Sequence, residues 1–376
     1  MFDCIVVGAG PAGSTTAYKL AQQGHSVLLL EKHQLPRYKP CTGAIAPSVA
    51  SWLDFDITPA IDQKLRRVRY TWQLGDPIEA DLETDEPMWI VRREVFDQCL
   101  VDQALKAGVA LKDGTSVVGI AFKDDGWTVQ TEQGPYAGRY LVAADGADGP
   151  MAQWLGFNPE KVRQAYVLEI DLPAPLENPT MAFEFGLVKQ GCLWNFPKRQ
   201  RHSLAITRFL GDTLKNPKES LATYAQSLGS DLEAGQLYSH GLKLWNGNRP
   251  LHTQQALLVG EAAALVDPMT AEGIRPAIFS GLKAAVAIDR ALGGDTLALA
   301  HYSETIHEEW GNDIQWSQRI ANIFFRMPKI GYRVGIKRPT ATKRLGQLLA
   351  GEIRYADLAN RVIKRLSGSF LPGRET

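Results

Sequence analysis

The first hydrophobic run of the chain, residues 5–7, is short and β-branched, and a glycine-rich segment follows it directly. Residues 14–23 have a helical composition, and Gly24 is placed to end that helix. A second apolar run at residues 26–30 is typical of a buried strand and is followed by Glu31. The pattern predicts a strand–helix–strand unit of about 30 residues.

The middle of the chain has a different pattern, in which aromatic residues alternate along short strands. These strands are predicted at residues 181–185, 192–196 and 203–206. Such alternation is typical of an antiparallel sheet with one dry face. We therefore expect a second sheet, built differently from the first.

Apolar periodicity elsewhere predicts further elements of the first kind. Residues 95–106 predict an amphipathic helix, and residues 140–144 and 256–259 predict buried strands. Residues 276–292 predict a helix rich in small residues, and the remainder of the chain is helical in pattern. The two kinds of structure are therefore interleaved along the chain.

The composition is that of a globular protein of about two domains, with 376 residues, 45% of them hydrophobic and 22% charged. Lys plus Arg and Asp plus Glu both number 41, which excludes the strongly basic class of nucleic-acid binders. The four cysteines form no CxxC pair, and no Cys or His spacing fits a metal site. With no 18-residue apolar run and no signal peptide, we expect a cytoplasmic protein.

The charge is unevenly distributed, because the segment from Arg319 to the carboxyl terminus has 13 Lys or Arg and only three acidic residues. This basic C-terminal region is about +10 and the preceding residues about −10. Two interpretations stay open. It is either a solvated helical face or a docking surface for anionic lipid or an acidic protein, which would make the protein peripheral on a membrane.

The glycine-rich segment is a G-x-G-x-x-G motif formed by Gly8, Gly10 and Gly13. The first glycine permits a tight turn, the second lets the backbone approach a pyrophosphate, and the third lets the helix pack close to the strand. Glu31 stands at the end of the next strand, where its carboxylate can accept hydrogen bonds from a ribose. The strand, the helix and the carboxylate together predict a dinucleotide-binding unit.

Two later strand ends indicate which dinucleotide is bound. Asp145 and Gly146 follow one apolar strand, and Gly260 and Glu261 follow another. Parallel strands bring such ends to the edge of the sheet where ligands bind. The helix that opens near Gly273 presents a positive end that suits a reduced flavin. Together these features predict a ligand longer than a mononucleotide, and FAD fits.

The predicted fold is therefore α/β, with a Rossmann-type FAD-binding domain interleaved with an antiparallel-sheet substrate domain and followed by a C-terminal helical segment. The FAD-binding domain is predicted at residues 1–65, 91–155 and 250–295. The substrate domain is predicted at residues 66–90 and 156–249, and the C-terminal helical region at residues 296–376.

At six places the chain resembles the geranylgeranyl reductase family of flavoproteins, within the class shared with p-hydroxybenzoate hydroxylase. The stretches are VGAGPAG (7–13), KPCTGAI (39–45), RREVFD (92–97), AADGADG (143–149), LWNFPK (193–198) and LLVGEAAALVDPMTAEGIRPAIFSGLKAA (257–285). KPCTGAI and LWNFPK are the stretches that indicate the reductases more narrowly. The departures are Glu261 for the usual Asp, Thr42 for Gly, and no glycine-rich strand after the FPK motif.

The resemblance implies a set of FAD-binding residues, with Trp194, Phe196 and Pro197 lining the substrate sheet. It also leaves open whether Cys41 is a proton donor or redox sensor beside the flavin or only a small packing residue. It equally leaves open whether Trp194 and Phe196 line the substrate site or pack in the core. The implied cofactor-binding residues are Gly8, Gly10, Pro11, Ala12, Gly13, Glu31, Lys32, Cys41, Thr42, Gly43, Arg93, Asp145, Gly146, Gly260, Glu261, Pro268, Gly273 and Ile274.

The resemblance further implies reduction of a carbon–carbon double bond in an isoprenoid by hydride from reduced FAD. No second G-x-G-x-x-G unit is present, so NADPH would bind transiently in the common cleft, or ferredoxin would dock outside. The alternatives are an FAD-dependent monooxygenase on the same frame, and a membrane-docked protein that holds a prenyl lipid or FAD without turnover.

Overall fold

The structure is a computed structural model that describes residues 1–211 and 214–368. Its strands are β1 Phe2–Val7, β2 Val27–Leu30, β3 Ala44–Ile45, β4 Ile61–Leu65, β5 Arg67–Trp72, β6 Gly75–Asp81, β7 Met88–Val91, β8 Ala110–Lys112, β9 Val117–Lys123, β10 Gly126–Thr131, β11 Gly134–Ala143, β12 Arg163–Asp171, β13 Thr180–Phe185, β14 Gly191–Asn195, β15 Arg201–Arg208, β16 Gly235–Leu242, β17 His252–Thr253 and β18 Ala256–Leu258. Its helices are α1 Pro11–Gln22, α2 Arg93–Lys106, α3 Met151–Trp154, α4 Pro217–Ser227, α5 Ile274–Leu292, α6 Ala298–Ile306, α7 Asn312–Arg326, α8 Pro328–Gly335, α9 Pro339–Leu349 and α10 Tyr355–Gly368.

The first sheet carries the predicted strand–helix–strand unit, which is confirmed. Its strand order is β17–β18–β11–β1–β2–β8, and β9 and β10 extend it through β11. β1 runs parallel to β2 and β11, and β11 runs parallel to β18. The carboxyl ends of these four strands therefore meet at one edge, where the first sheet can bind a ligand.

The second sheet has the strand order β16–β12–β15–β14–β13–β5–β6 and is antiparallel except where β13 runs parallel to β5. The expectation of one dry face is wrong, because both faces of its central strands are buried. Trp194 and Phe185 face an aromatic cluster that includes residues of α7 and α8, whereas Leu193 and Leu204 face α4. The sequence pattern did not predict α4, and this helix is what covers the second face.

A small third sheet, β3–β7–β4, and the helices α6–α10 complete the fold. As the pattern predicts, the carboxyl-terminal part is helical, and Pro328 and Pro339 each begin a helix. The predicted basic region extends to Arg374, which lies outside the described residues. The three predicted domain ranges stay a prediction.

None of the described helices has both the length and the apolar character that a membrane crossing requires.

Candidate functional site

The turn between β1 and α1 forms one wall of a cavity of about 640 Å³. Gly8 has a φ of +108°, and a Cβ there would lie 2.4 Å from the carbonyl oxygen of Ala144. A Cβ on Gly13 would lie 1.9 Å from the carbonyl oxygen of Gly8, so α1 starts against the turn. No side chain caps α1, so its first N–H groups remain free to bind phosphate. The α1 turn residues on the cavity are Gly10, Pro11 and Ala12.

A chain of alternating acidic and basic side chains runs beside this turn. Oε2 of Glu31 accepts hydrogen bonds from the Ala9 N–H at 3.0 Å and from Arg37 at 3.2 Å. Arg37 also donates to Asp97 at 2.9 Å, and Arg93 donates two hydrogen bonds of 2.8 Å to the same carboxylate. Burial would raise the pKa of the Asp97 carboxyl, but Arg93 and Arg37 bring that pKa below its ordinary value. Arg37 and Arg93 are thus fixed on the cavity by a buried carboxylate.

Two more carboxylates stand at the ends of the parallel strands. Oδ2 of Asp145 accepts a hydrogen bond of 2.9 Å from the Met151 N–H, and burial raises the pKa of Asp145. Oε2 of Glu261 lies 3.3 Å from Nε2 of His240. Burial would raise the pKa of Glu261, but His240 and then Lys39 lower it below its ordinary value. Oδ1 of Asp145 and Oε1 of Glu261 are buried without a partner among the described residues, so each can accept a hydroxyl group such as those of the ribityl chain.

The loop before α5 completes one end of the cavity, where Gly273 and Ile274 lie on the surface. Gly273 is the N-cap of α5 and no side chain caps the helix, so the positive helix end is open to the cavity. Asp267 organises the loop from behind. Its carboxylate accepts hydrogen bonds from Ser317 in α7 at 2.5 Å and from Tyr355 in α10 at 2.7 Å. The C-terminal helices therefore support the loop before α5.

The KPCTGAI loop lines the cavity and contacts the LWNFPK segment at two points. The indole N–H of Trp194 donates a hydrogen bond of 3.1 Å to Oγ1 of Thr42. The ammonium group of Lys198 donates one of 3.2 Å to the carbonyl oxygen of Cys41. The Cys41 thiol is free, partly buried and on the cavity surface. The two motifs that indicate the reductases therefore form one structural unit.

A buried polar cluster lies behind this loop. The Glu169 carboxylate accepts hydrogen bonds from Lys198 at 2.9 Å, Ser203 at 3.0 Å and the Tyr38 hydroxyl at 3.1 Å. Burial, and then the Glu169 carboxylate, raise the pKa of Tyr38, so its hydroxyl stays protonated. Tyr38 and Cys41 both line the cavity, which places a phenol hydroxyl and a thiol on its surface.

The wall opposite the strand ends is apolar and comes mainly from the second sheet. Phe183, Trp194 and Ala205 are direct neighbours across β13, β14 and β15, so their side chains project from one face. The rings of Phe183 and Phe196 pack with centroids 5.3 Å apart. The apolar wall consists of Met88, Met181, Phe183, Trp194, Phe196, Ala205 and Leu349.

Most of the predicted site residues therefore meet on one cavity. Those that line it are Gly8, Gly10, Pro11, Ala12, Glu31, Lys32, Cys41, Thr42, Arg93, Asp145, Gly146, Glu261, Gly273, Ile274, Trp194 and Phe196. Five others stand behind its surface, namely Gly13, Gly43, Gly260, Pro268 and Pro197. Gly43 packs on β7, where a Cβ would lie 2.0 Å from the Val91 carbonyl oxygen, and Gly260 packs against α1 and α5.

Sequence reasoning missed Arg37, Tyr38, Lys39 and His240, all of which line the cavity. Lys39 opens the KPCTGAI stretch, so the motif itself contained a signal for it. Arg37 and Tyr38 precede that motif, His240 lies on β16, and none of the three belongs to a sequence motif. Among the described residues, no group of three or more His, Cys, Asp or Glu side chains is arranged to hold a metal ion.

Comparisons with known proteins show the family and the fold of this chain. A family model described as an FAD binding domain matches residues 1–308. A digeranylgeranylglycerophospholipid reductase from Methanothermobacter thermautotrophicus is 28% identical over 332 residues, covering 83% of this chain and 84% of its own. An uncharacterised protein from Methanosarcina barkeri is 29% identical over 296 residues, covering 77% of this chain and 75% of its own.

Solved structures give the same fold. The structure of a geranylgeranyl bacteriochlorophyll reductase-like protein from Thermoplasma acidophilum is similar with a TM-score of 0.76 at 21% identity, covering 93% of this chain and 91% of that one. The flavin-dependent brominase Bmp2, as a triple mutant, is similar with a TM-score of 0.73 at 18% identity, covering 98% of this chain and 100% of that one. These likenesses confirm the predicted FAD fold. The chain therefore belongs to the FAD-binding domain family, and it is an FAD-dependent oxidoreductase.

Proposed function

We propose that this protein reduces carbon–carbon double bonds in the isoprenoid chain of a lipid. The observation that carries the proposal is the apolar wall of Met88, Met181, Phe183, Trp194, Phe196, Ala205 and Leu349, which faces the strand ends across the same cavity. An isoprenoid chain has no polar group that such a wall would leave unpaired. Relatives named as digeranylgeranylglycerophospholipid reductases support the same substrate class.

The described residues fit FAD along the strand ends. The free N–H groups of α1 would bind the pyrophosphate, and Glu31 would bind the adenosine ribose. The unpartnered carboxylate oxygens of Asp145 and Glu261 would accept hydroxyl groups of the ribityl chain. Gly273 and Ile274 would lie against the isoalloxazine ring, with Cys41 on the loop across the cavity.

Bound FAD, once reduced, supplies a hydride to one carbon of the double bond. The apolar wall holds the chain in a dry slot, which excludes water and fixes the double bond for reaction. The other carbon needs a proton, and the Cys41 thiol is the proposed donor because it lies on the cavity with its loop held by Lys198 and Trp194. NADPH or ferredoxin would restore the reduced cofactor.

The test is product analysis with FAD-loaded protein, with dithionite as reductant under argon and NADPH as reductant under air, because dithionite would consume the oxygen. Substrates are a geranylgeranylated glycerophospholipid, a polyprenyl quinone and the fully saturated phospholipid as control. Mass spectrometry should find loss of double bonds from the first substrate without oxygen. Turnover that requires oxygen would identify a monooxygenase instead, and absence of turnover with every prenyl compound would refute the reductase.

A further inference from the structure

Exposed aliphatic side chains are concentrated on α7 and α8. Among the described residues, 12 large hydrophobic side chains are exposed, and four of these lie between residues 323 and 334. Ile323 and Met327 are 66% and 51% exposed, and Ile330 and Val334 are 56% and 53% exposed. The members of each pair are four residues apart, so each pair lies on one side of the chain, the first at the end of α7 and the second in α8. Such a concentration on a protein surface marks an interaction site.

The charged residues in and around the same segment are all basic. Residues 314–351 contain eight Lys or Arg and no Asp or Glu. In the described part of the chain, Lys337 and Lys343 pair with Asp76 and Glu83. Arg326, Lys329 and Arg333 are exposed and form no ion pair with any described residue. These three charges therefore remain available to an anionic partner.

The opposite side of the two helices is buried against the substrate wall. Phe324, Phe325 and Tyr332 belong to the aromatic cluster that also contains Trp194. The ring of Phe325 stacks on Phe209 with centroids 4.6 Å apart, and Phe209 stacks on Trp194 at 6.4 Å. The exposed aliphatic surface thus lies on the outer side of the helices that support the cavity.

We propose that Ile323, Met327, Ile330 and Val334, together with Arg326, Lys329 and Arg333, form a membrane-docking surface for a bilayer that contains anionic phospholipids. The aliphatic side chains would lie at the boundary between headgroups and acyl chains, and the basic ones would contact the lipid phosphates. An acidic protein would satisfy the charges but would not require four exposed aliphatic side chains beside them. That docking through these helices would serve the access of a lipid substrate to the cavity rests on the proposed function.

The docking surface can be tested by flotation of the FAD-loaded protein with vesicles of phosphatidylcholine alone or mixed with phosphatidylglycerol. Wild-type protein should bind the mixed vesicles and release from them at high salt. The double variant Lys329→Gln/Arg333→Gln should bind roughly 25-fold more weakly, at about fivefold for each charge. The double variant Ile330→Glu/Val334→Glu should bind the mixed vesicles at least about tenfold more weakly. Val118→Glu and Lys123→Gln, which alter exposed residues of β9, are the matched controls and should bind normally.

Turnover on a detergent-dispersed prenyl lipid separates this proposal from the reductase proposal. Docking variants that lose vesicle binding but keep this turnover support the docking surface. Wild-type protein that turns over but ignores anionic vesicles overturns it and leaves the reductase. Vesicle binding without any turnover supports the docking surface while refuting the reductase. If the charge variants bind vesicles normally but slow reduction by an acidic ferredoxin, the surface is a protein-docking site and the membrane proposal is overturned.

Discussion

The indole N–H of Trp194 donates a hydrogen bond of 3.1 Å to Oγ1 of Thr42, across 152 residues of sequence. Trp194 belongs to the apolar wall, and Thr42 follows the cavity cysteine Cys41. Both side chains are buried, so loss of the bond would leave a buried indole N–H without its acceptor. This contact fixes the distance between the substrate wall and the Cys41 loop.

Thr42→Val should destabilise the protein by about 1–3 kcal/mol, because it leaves the Trp194 N–H buried without an acceptor. Thr42→Ser keeps the acceptor and should cost less than about 1 kcal/mol. Urea unfolding measures both. Trp194→Phe added to Thr42→Val should cost less than the sum of the two single changes, and strict additivity would show that the two residues are not coupled.

Asp97→Asn should lower the free energy of unfolding by about 3 kcal/mol near pH 7, because it leaves Arg93 and Arg37 facing a neutral group. The folded-state pKa of Asp97 lies below its ordinary value of 3.8, so its stabilisation is complete above that pH. It is lost as the pH falls through the lower folded-state value. The difference in the free energy of unfolding between wild type and variant, measured by urea unfolding, should therefore become smaller in acid. Asp102→Asn on the exposed side of α2 is the control, and an equal effect there would contradict the assignment.

Glu261→Gln should weaken FAD binding about tenfold, or 1.4 kcal/mol, because an amide accepts a ribityl hydroxyl less strongly than a carboxylate does. Glu261→Asp keeps the charge and should bind FAD closer to wild type. Quenching of flavin fluorescence gives the dissociation constants. Glu308→Gln, at an exposed position of the same charge type, should change nothing. Tight binding by the Gln variant would remove Glu261 from the FAD site.

Cys41→Ala should slow double-bond reduction about 100-fold if the thiol donates the proton. Reduction of the bound flavin by dithionite should stay unchanged, because that step does not involve the substrate. Cys99→Ala changes the other partly exposed thiol and should leave both steps intact. Full turnover by Cys41→Ala would make the thiol a packing group only.

The elements that the sequence predicted correctly are those determined by residues close together along the chain. The unit β1–α1–β2 follows from a β-branched run, a glycine turn and a helical segment within about 30 residues. Phe96, Leu100 and Ala104 are buried on α2 as their spacing predicts, although the helix begins at Arg93. The carboxylates Asp145 and Glu261 could be placed because parallel strands share an edge.

The polar cluster of Tyr38, Glu169, Lys198 and Ser203 could not be predicted in this way. Glu169 meets Ser203 only through the register of β12 with β15, which no sequence spacing reveals. Lys198 and Tyr38 reach the same carboxylate from two loops that are 160 residues apart, so their meeting depends on the tertiary fold. The second buried face of the sheet was missed for the same reason, since it depends on where α4 packs.

The most direct test of the account is an anaerobic stopped-flow measurement of flavin absorbance in the reduced, FAD-loaded protein. Mixing with a geranylgeranylated phospholipid should reoxidise the flavin and yield one reduced double bond for each flavin, whereas the fully saturated lipid should leave it reduced. A flavin that stays reduced with every prenyl lipid and is reoxidised only by oxygen would contradict the central claim.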